Sequence, residues 1–195
     1  KPREFRYGRE PKIPTVYVPV FPGTNCDYDT IKAFRRVGAK ITTSVFRNLT
    51  SRDVFESIDE MARLIAGCDI FVLSGGFSAG DEPDGSAKFI ANVLMSDKVA
   101  REINSLLERK GLILGICNGF QALVKSGLLP YSQLGHLTAD SPTLFRNDIN
   151  RHCSQMVITR VASTNSPWLK SFTVGETFVI PVSHGEGKFI VSEEM

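Results

Sequence analysis

The residues best suited to chemistry are a cysteine and the glycines around it. Positions 115 to 119 read Gly115-Ile116-Cys117-Asn118-Gly119, a G-x-C-x-G spacing. With serine at its centre, this spacing forms a nucleophile elbow, a sharp strand-to-helix turn that holds the nucleophile in a strained conformation. Side chains at 115 and 119 would collide where strand and helix close, so both positions call for glycine. Cys117 then projects away from the sheet at the start of a helix, where unpaired N–H groups favour the thiolate. The same donors, chiefly the N–H of Asn118, can stabilise an oxyanion. The bland alternative is a buried structural thiol, since free cysteine is among the most buried residue types. The strand before, the helix after and the glycines on both sides favour the reactive reading.

A second oxyanion donor should come from a neighbouring strand end. Gly75 and Gly76 in "VLSGG" suit that task, because glycine lets a backbone N–H approach a ligand closely. Cys26, in "GTNCDYD", also sits at a helix start, where a thiol can be activated. The competing reading makes it a packing residue, with Thr24 or Asn25 capping the helix. Asp81, Glu82 and Asp84 form an acidic loop without His or Cys. It suits solvation better than metal binding, and no metal site is expected. His184 and Glu186 in "SHGEGK" have the spacing of a base and its orienting carboxylate. His136 reads as a loop residue, and His152 beside Cys153 as part of a strand.

Elements that could position these groups follow from periodicity. Thr15 to Phe21, "KITTSVF", "DIFVLSGG" and "GLILGI" read as short buried strands. Helices are expected from Asp27 to Val37, with Gly38 just beyond. Others should follow Ser51 as N-cap, then cover about 87–95, 97–109 and Asn118 to Ser126. Past residue 130, "QMVITRVAS" and "TFVIPVSHGEGKFIV" suggest antiparallel strands. Trp168, after Ser166-Pro167, reads as packing at a helix start. Alternation of strands and helices implies an α/β fold, a flavodoxin-like three-layer sandwich. Its central sheet should be mostly parallel, with an antiparallel C-terminal extension. Such sheets bind ligands beyond the carboxyl ends of their strands, where both glycine-bearing loops lie.

Composition narrows the function classes. The 195 residues carry 42% hydrophobic and 23% charged residues and a formal charge of +2, which gives no reason to expect nucleic acid. No apolar run is long enough to span a membrane. Four cysteines without a C-x-x-C pair suit a reduced, cytoplasmic setting. Residues 1–13 read as a linker or N-terminal extension and 14–195 as one catalytic domain. The start at Lys1 and the stop at Met195 suggest a piece of a longer chain.

The stretches "GICNGFQAL", "LSGGFSAGDEPDG", "VFPGTNCDYDTIKAF" and "PVSHGEGKF" together resemble one family. It comprises the glutaminase domains of phosphoribosylformylglycinamidine synthases, which are class I, triad-type glutamine amidotransferases. The loop "SAGDEPDGSAKFI" is similar to the variant fused behind the synthetase in one long polypeptide. The resemblance implies that Cys117 attacks the side-chain amide of glutamine. Ammonia would pass to a synthetase that uses ATP and magnesium in purine biosynthesis, with no cofactor in this domain. By position, the Asn118 backbone with Gly75 and Gly76 would form the oxyanion hole, and Gln121 would contact the amino-acid end of glutamine. "LFRNDINRHCSQMVITRV", with Asn147 and Ser154, resembles the segment bordering the glutamine pocket.

The family's triad His and Glu sit in a His-Pro-Glu stretch that these 195 residues lack. The resemblance therefore implies a triad completed beyond Met195 and gives His184 and Glu186 a supporting or domain-contact role. Residue spacing alone makes those two the first candidates for base and orienter. Two other functions fit the elbow. One is a cysteine hydrolase or peptidase on the same scaffold; the other is a non-catalytic module retaining the fold.

Overall fold

The computed structural model describes residues 13–78 and 87–192. These contain eight strands and six α-helices. Contacts divide the chain into two units, the second being Leu144–Ile190. Each is described separately.

The first unit is built on four parallel strands. They are β1 (Thr15–Val20), β2 (Lys40–Val45), β3 (Ile70–Leu73) and β4 (Leu112–Gly115), hydrogen-bonded in the order β2-β1-β3-β4. Period-2 alternation sends side chains of the central strands to opposite faces. Tyr17, Phe71 and Leu73 enter one apolar cluster, and Val16, Val18 and Val72 enter another. Both faces are therefore dry, as the continuous apolar runs of β1 and β3 require.

Helix α1 (Asp27–Arg36) covers the smaller cluster through Ile31 and Phe34. The larger cluster takes Met61 and Ile65 from α2 (Ser51–Ala66) and Ile90 and Leu94 from α3 (Lys88–Leu94). It also takes Val99, Ile103 and Leu106 from α4 (Asp97–Glu108). Each fully buried side chain of this size contributes roughly 1.5–3 kcal/mol relative to exposure. Helix α5 (Asn118–Lys125) adds Ala122 and Leu123, and α6 (Leu128–Tyr131) adds Leu128.

The helices differ from expectation in three places. The N-cap of α2 is Thr50, not Ser51. Its hydroxyl accepts from the Asp53 amide, and the Asp53 carboxylate accepts from the Thr50 amide, closing a capping box. Val37, expected as the last residue of α1, is 79% exposed. The helix has ended by then, and the Val37 amide bonds back to the Phe34 carbonyl at 3.2 Å in a tightened turn. Helix α6 is an element that periodicity did not indicate; it spans only four residues.

The second unit is antiparallel. Strand β6 (Cys153–Arg160) pairs with β7 (Thr177–His184), placing Cys153 opposite His184. Strand β5 (Thr143–Phe145) pairs with β8 (Lys188–Ile190). Trp168 sits in a single 3-10 turn, Pro167–Leu169, whose entry is closed by the Ser166 hydroxyl accepting from the Trp168 amide at 3.4 Å. The α/β fold, its parallel sheet and its antiparallel extension are those read from the sequence.

Candidate active site

Strands β1, β3 and β4 are neighbours and parallel, so their carboxyl ends deliver three loops to one edge of the sheet. At the β4 end the chain turns sharply into α5. Cys117 is its pivot, with φ 51° and ψ −107°, and it is exposed. A side chain other than glycine rarely adopts such angles, and holding one there costs on the order of 1–3 kcal/mol. The glycines explain how the turn closes. A Cβ on Gly115 would lie 2.7 Å from the Gly119 carbonyl carbon and oxygen. One on Gly119 would lie 2.1 Å from the Leu73 carbonyl oxygen. That carbonyl also accepts from the Ile116 amide at 3.0 Å, tying the elbow to β3.

Gly75 comes directly against the elbow. A Cβ there would sit 3.4 Å from the Cys117 Cβ and 3.5 Å from the Cys26 Sγ. The strand-end glycine, the elbow cysteine and the cysteine that starts α1 are thus brought together. Ser74, just before it, is buried, and its hydroxyl has no hydrogen-bond partner among the described residues. An orphaned hydroxyl costs about 1–3 kcal/mol, so this strand end carries unused hydrogen-bonding capacity.

Asn118 is 2% exposed and links two of these loops through its side chain. Its Oδ1 accepts from the Ser78 amide at 3.3 Å, and its Nδ2 donates to Gln121 Oε1 at 3.0 Å. Sequence reasoning used only the backbone of Asn118. The side-chain bridge joins residues 40 apart in the chain, so no local pattern announces it. Gln121 is itself buried, its side-chain carbonyl held by Asn118.

Cys26 departs from both sequence readings. It is the N-cap of α1, but neither its own side chain nor that of Thr24 or Asn25 caps the helix. Thr24 instead closes the preceding turn, its hydroxyl accepting from the Phe21 amide at 3.1 Å, and Asn25 Oδ1 accepts from Cys26 Sγ. Desolvation, then the nearby Cys117, Asp29 and Asp27, push the Cys26 thiol above its ordinary pKa. Two acids in the first turn oppose the activation that a helix start would otherwise give.

Comparison with known proteins gives the family. The profile of the CobB/CobQ-like glutamine amidotransferase domain matches residues 13–195. The chain belongs to this family. It is 33% identical over 175 residues to the phosphoribosylformylglycinamidine synthase subunit PurQ of Gloeobacter violaceus, covering 89% of this chain and 62% of that protein. The Salinibacter ruber PurQ subunit is 34% identical over 185 residues, covering 91% and 63%. The structure of PurLQS from Thermotoga maritima superposes with a TM-score of 0.66 at 28% identity, covering 94% of this chain and 72% of that one. The chain thus spans a little under two thirds of the Gloeobacter and Salinibacter relatives.

In this amidotransferase domain, His184 and Glu186 belong to the second unit. Asn147 holds the His184 ring. Its Nδ1 bonds Asn147 Oδ1 at 3.0 Å, while Asn147 Nδ2 donates to the His184 carbonyl at 2.9 Å. The Asn147 oxygen also accepts from the Gly187 amide at 3.3 Å, so one asparagine pins the β7–β8 turn. As an amide oxygen can only accept, the ring Nδ1 is the donor in this contact. Glu186 is 7% exposed. His152 faces Ser183 Oγ at 2.9 Å, and the His136 ring meets Tyr131 edge-on. The acidic loop Asp81, Glu82 and Asp84 lies outside the described residues. No described helix is long and apolar enough to cross a membrane.

Proposed function

We propose that this chain is the glutaminase part of a phosphoribosylformylglycinamidine synthase, taking glutamine as substrate and delivering ammonia to a synthetase. The observation that carries the reading is the exposed cysteine at φ 51°, ψ −107°, packed against Gly75 at the edge where three strand ends meet. The PurQ relatives supply the reaction class.

In the proposed reaction the Cys117 thiolate attacks the γ-carboxamide carbon of glutamine. A C–S bond forms, and the carbonyl electrons move to oxygen. The Asn118 and Gly76 N–H groups stabilise that oxyanion. A general acid protonates the amide nitrogen as the C–N bond breaks, releasing ammonia and leaving a γ-glutamyl thioester. Water then adds, the C–S bond breaks, and glutamate leaves with the thiol restored. Gln121 lies one helical turn past the nucleophile and lines the place for the amino-acid end of glutamine. Asn118 holds it there.

A proton carrier is required, and two sources are open to this enzyme. The locking of His184 into its turn by Asn147 favours a positioning role for His184 and Glu186. The triad His and Glu would then come from outside residues 1–195. ATP and magnesium would serve the synthetase, not this chain. Residues 14–195 act as one catalytic domain, in the cytoplasm, where purine precursors and reduced thiols are found. The resemblance of "SAGDEPDGSAKFI" to the fused variant supports a chain joined to its synthetase in one polypeptide. Immunoblotting would then show it only within a much larger species.

The deciding experiment is Cys117→Ser in the enzyme assembled with its synthetase. Glutamine-dependent synthesis should fall at least 100-fold, while synthesis from added ammonium should persist. Loss of both activities would make Cys117 a folding residue. Retention of both would remove it from catalysis.

A further inference from the structure

We infer that the β1–α1 loop, Pro22 to Cys26, is the device that orients the oxyanion-stabilising peptide, with Thr24 as its positioning residue. This rests on the glutaminase reading of the site and extends it to a segment that the reading leaves without a task.

The Gly75 carbonyl oxygen accepts two backbone donors from this loop, the amides of Asn25 at 3.3 Å and Cys26 at 3.4 Å. A trans peptide holds its C=O and N–H in opposite directions. Fixing the Gly75 carbonyl on the α1 side therefore turns the Gly76 N–H away from α1. The Cys117 Cβ stands 3.4 Å from the Cβ position of Gly75, so the peptide borders the nucleophile directly. Glycine at 75 and 76 leaves this peptide free to rotate unless something holds it. Both bonds are long and share one acceptor, so each is weak and their geometry depends on the loop staying in place.

The loop is held by a backbone-to-backbone interlock. The Phe77 amide donates to the Gly23 carbonyl at 2.9 Å, and Thr24 bridges Gly76 in antiparallel fashion. The approach is so close that a Cβ on Gly76 would lie 2.5 Å from the Gly23 oxygen and 2.8 Å from the Thr24 Cα. A Cβ on Gly23, whose φ is 88°, would lie 2.0 Å from the Phe77 oxygen. One side chain anchors the loop to the end of β1. The Thr24 hydroxyl accepts from the buried Phe21 amide at 3.1 Å, and the Thr24 amide donates to the Phe21 carbonyl at 2.9 Å. The glycines let the loops touch, and the threonine fixes where they touch.

Removing one oxyanion donor costs about 100- to 1000-fold in kcat. Loosening its support while leaving the donor in place should cost less, about 10-fold. The test uses Thr24→Val and Thr24→Ala, which lose the hydroxyl, and Thr24→Ser, which keeps it, in the enzyme with its synthetase. Expected results are a kcat for glutamine lowered about 10-fold by Val and Ala with KM within about 2-fold. Serine should restore it. Ammonium-dependent synthesis and the rate of Cys117 alkylation by iodoacetamide should not change, since neither needs the oxyanion peptide. Affinity for a glutamate γ-semialdehyde, which forms a tetrahedral adduct on the thiol, should fall in step with kcat. If Thr24→Val does not fold, Thr24→Ala carries the same readouts. Wild-type kcat and aldehyde affinity in the soluble hydroxyl-free variants would overturn the inference, as would parallel loss of alkylation and ammonium-dependent synthesis. Failure of the glutaminase reading itself would look different, with glutamine turnover surviving Cys117→Ser.

Discussion

Replacing Cys117 by alanine and by glycine separates the backbone of the elbow from its sulfur. Both variants lack the thiol, and the native residue is exposed, so neither loses much packing. They differ in the Cβ. At φ 51° and ψ −107° that Cβ is strained by about 1–3 kcal/mol. Glycine escapes the strain but loses about 0.5–1 kcal/mol to the entropy of its unfolded chain. The balance favours the glycine variant by roughly 1 kcal/mol, a rise in Tm of about 2–4 °C over the alanine variant for a chain of this size. Thermal melts of the two proteins, recorded side by side, read the difference directly. The same pair of substitutions at Lys125, on α5, provides the control, where alanine should be the more stable by about 1 kcal/mol. A Cys117→Gly protein that melts below Cys117→Ala would show that the elbow stores no strain. The reasoning that links this turn to a nucleophile would then fail.

Gly119→Ala should destabilise the protein by about 2–3 kcal/mol and abolish glutamine hydrolysis, because its methyl would stand 2.1 Å from the Leu73 carbonyl oxygen; denaturant melts and an ammonia-release assay check both. Alkaline pH should weaken the fold. Burial pushes the Cys68 thiol from 9.0 to about 11, and burial raises the Tyr17 hydroxyl as well. Neutral Cys68 is thus favoured in the native state. Its contribution is complete below about pH 9 and is lost as pH climbs towards 11, by up to about 2–3 kcal/mol. Cys68→Ala should flatten that part of the stability curve in urea titrations, and an unchanged slope would contradict the assignment to Cys68.

Much of the scaffold was legible because its signals are local. The apolar runs of β1 and β3 imply strands dry on both faces, and the large and small clusters bear that out. Helix boundaries were read to within a residue or two. The misplaced cap of α2 shows the limit: Thr50 and Ser51 are both good caps, and only the reciprocal bond with Asp53 separates them. Within the candidate site, Cys117 and its glycines were readable since the elbow is a five-residue motif. The Asn118–Ser78 bridge, the capture of the Gly75 carbonyl by Asn25 and Cys26, and the Asn147 hold on His184 were not. Each joins segments far apart in the chain.

The sequence by itself determined which residue types meet the turn: a thiol that can be exposed and glycines that let backbones touch. Those properties follow from side-chain volume and local dihedral preference, and neighbouring residues suffice to express them. The tertiary structure decided who faces whom. Desolvation and the approach of Cys117, added to Asp29 and Asp27 on its own helix, raise the Cys26 pKa where a helix start alone would lower it. Gly75 acquired its direction from amides 50 residues earlier in the chain. Strand order sets these meetings, and strand order is a property of the whole packed sheet.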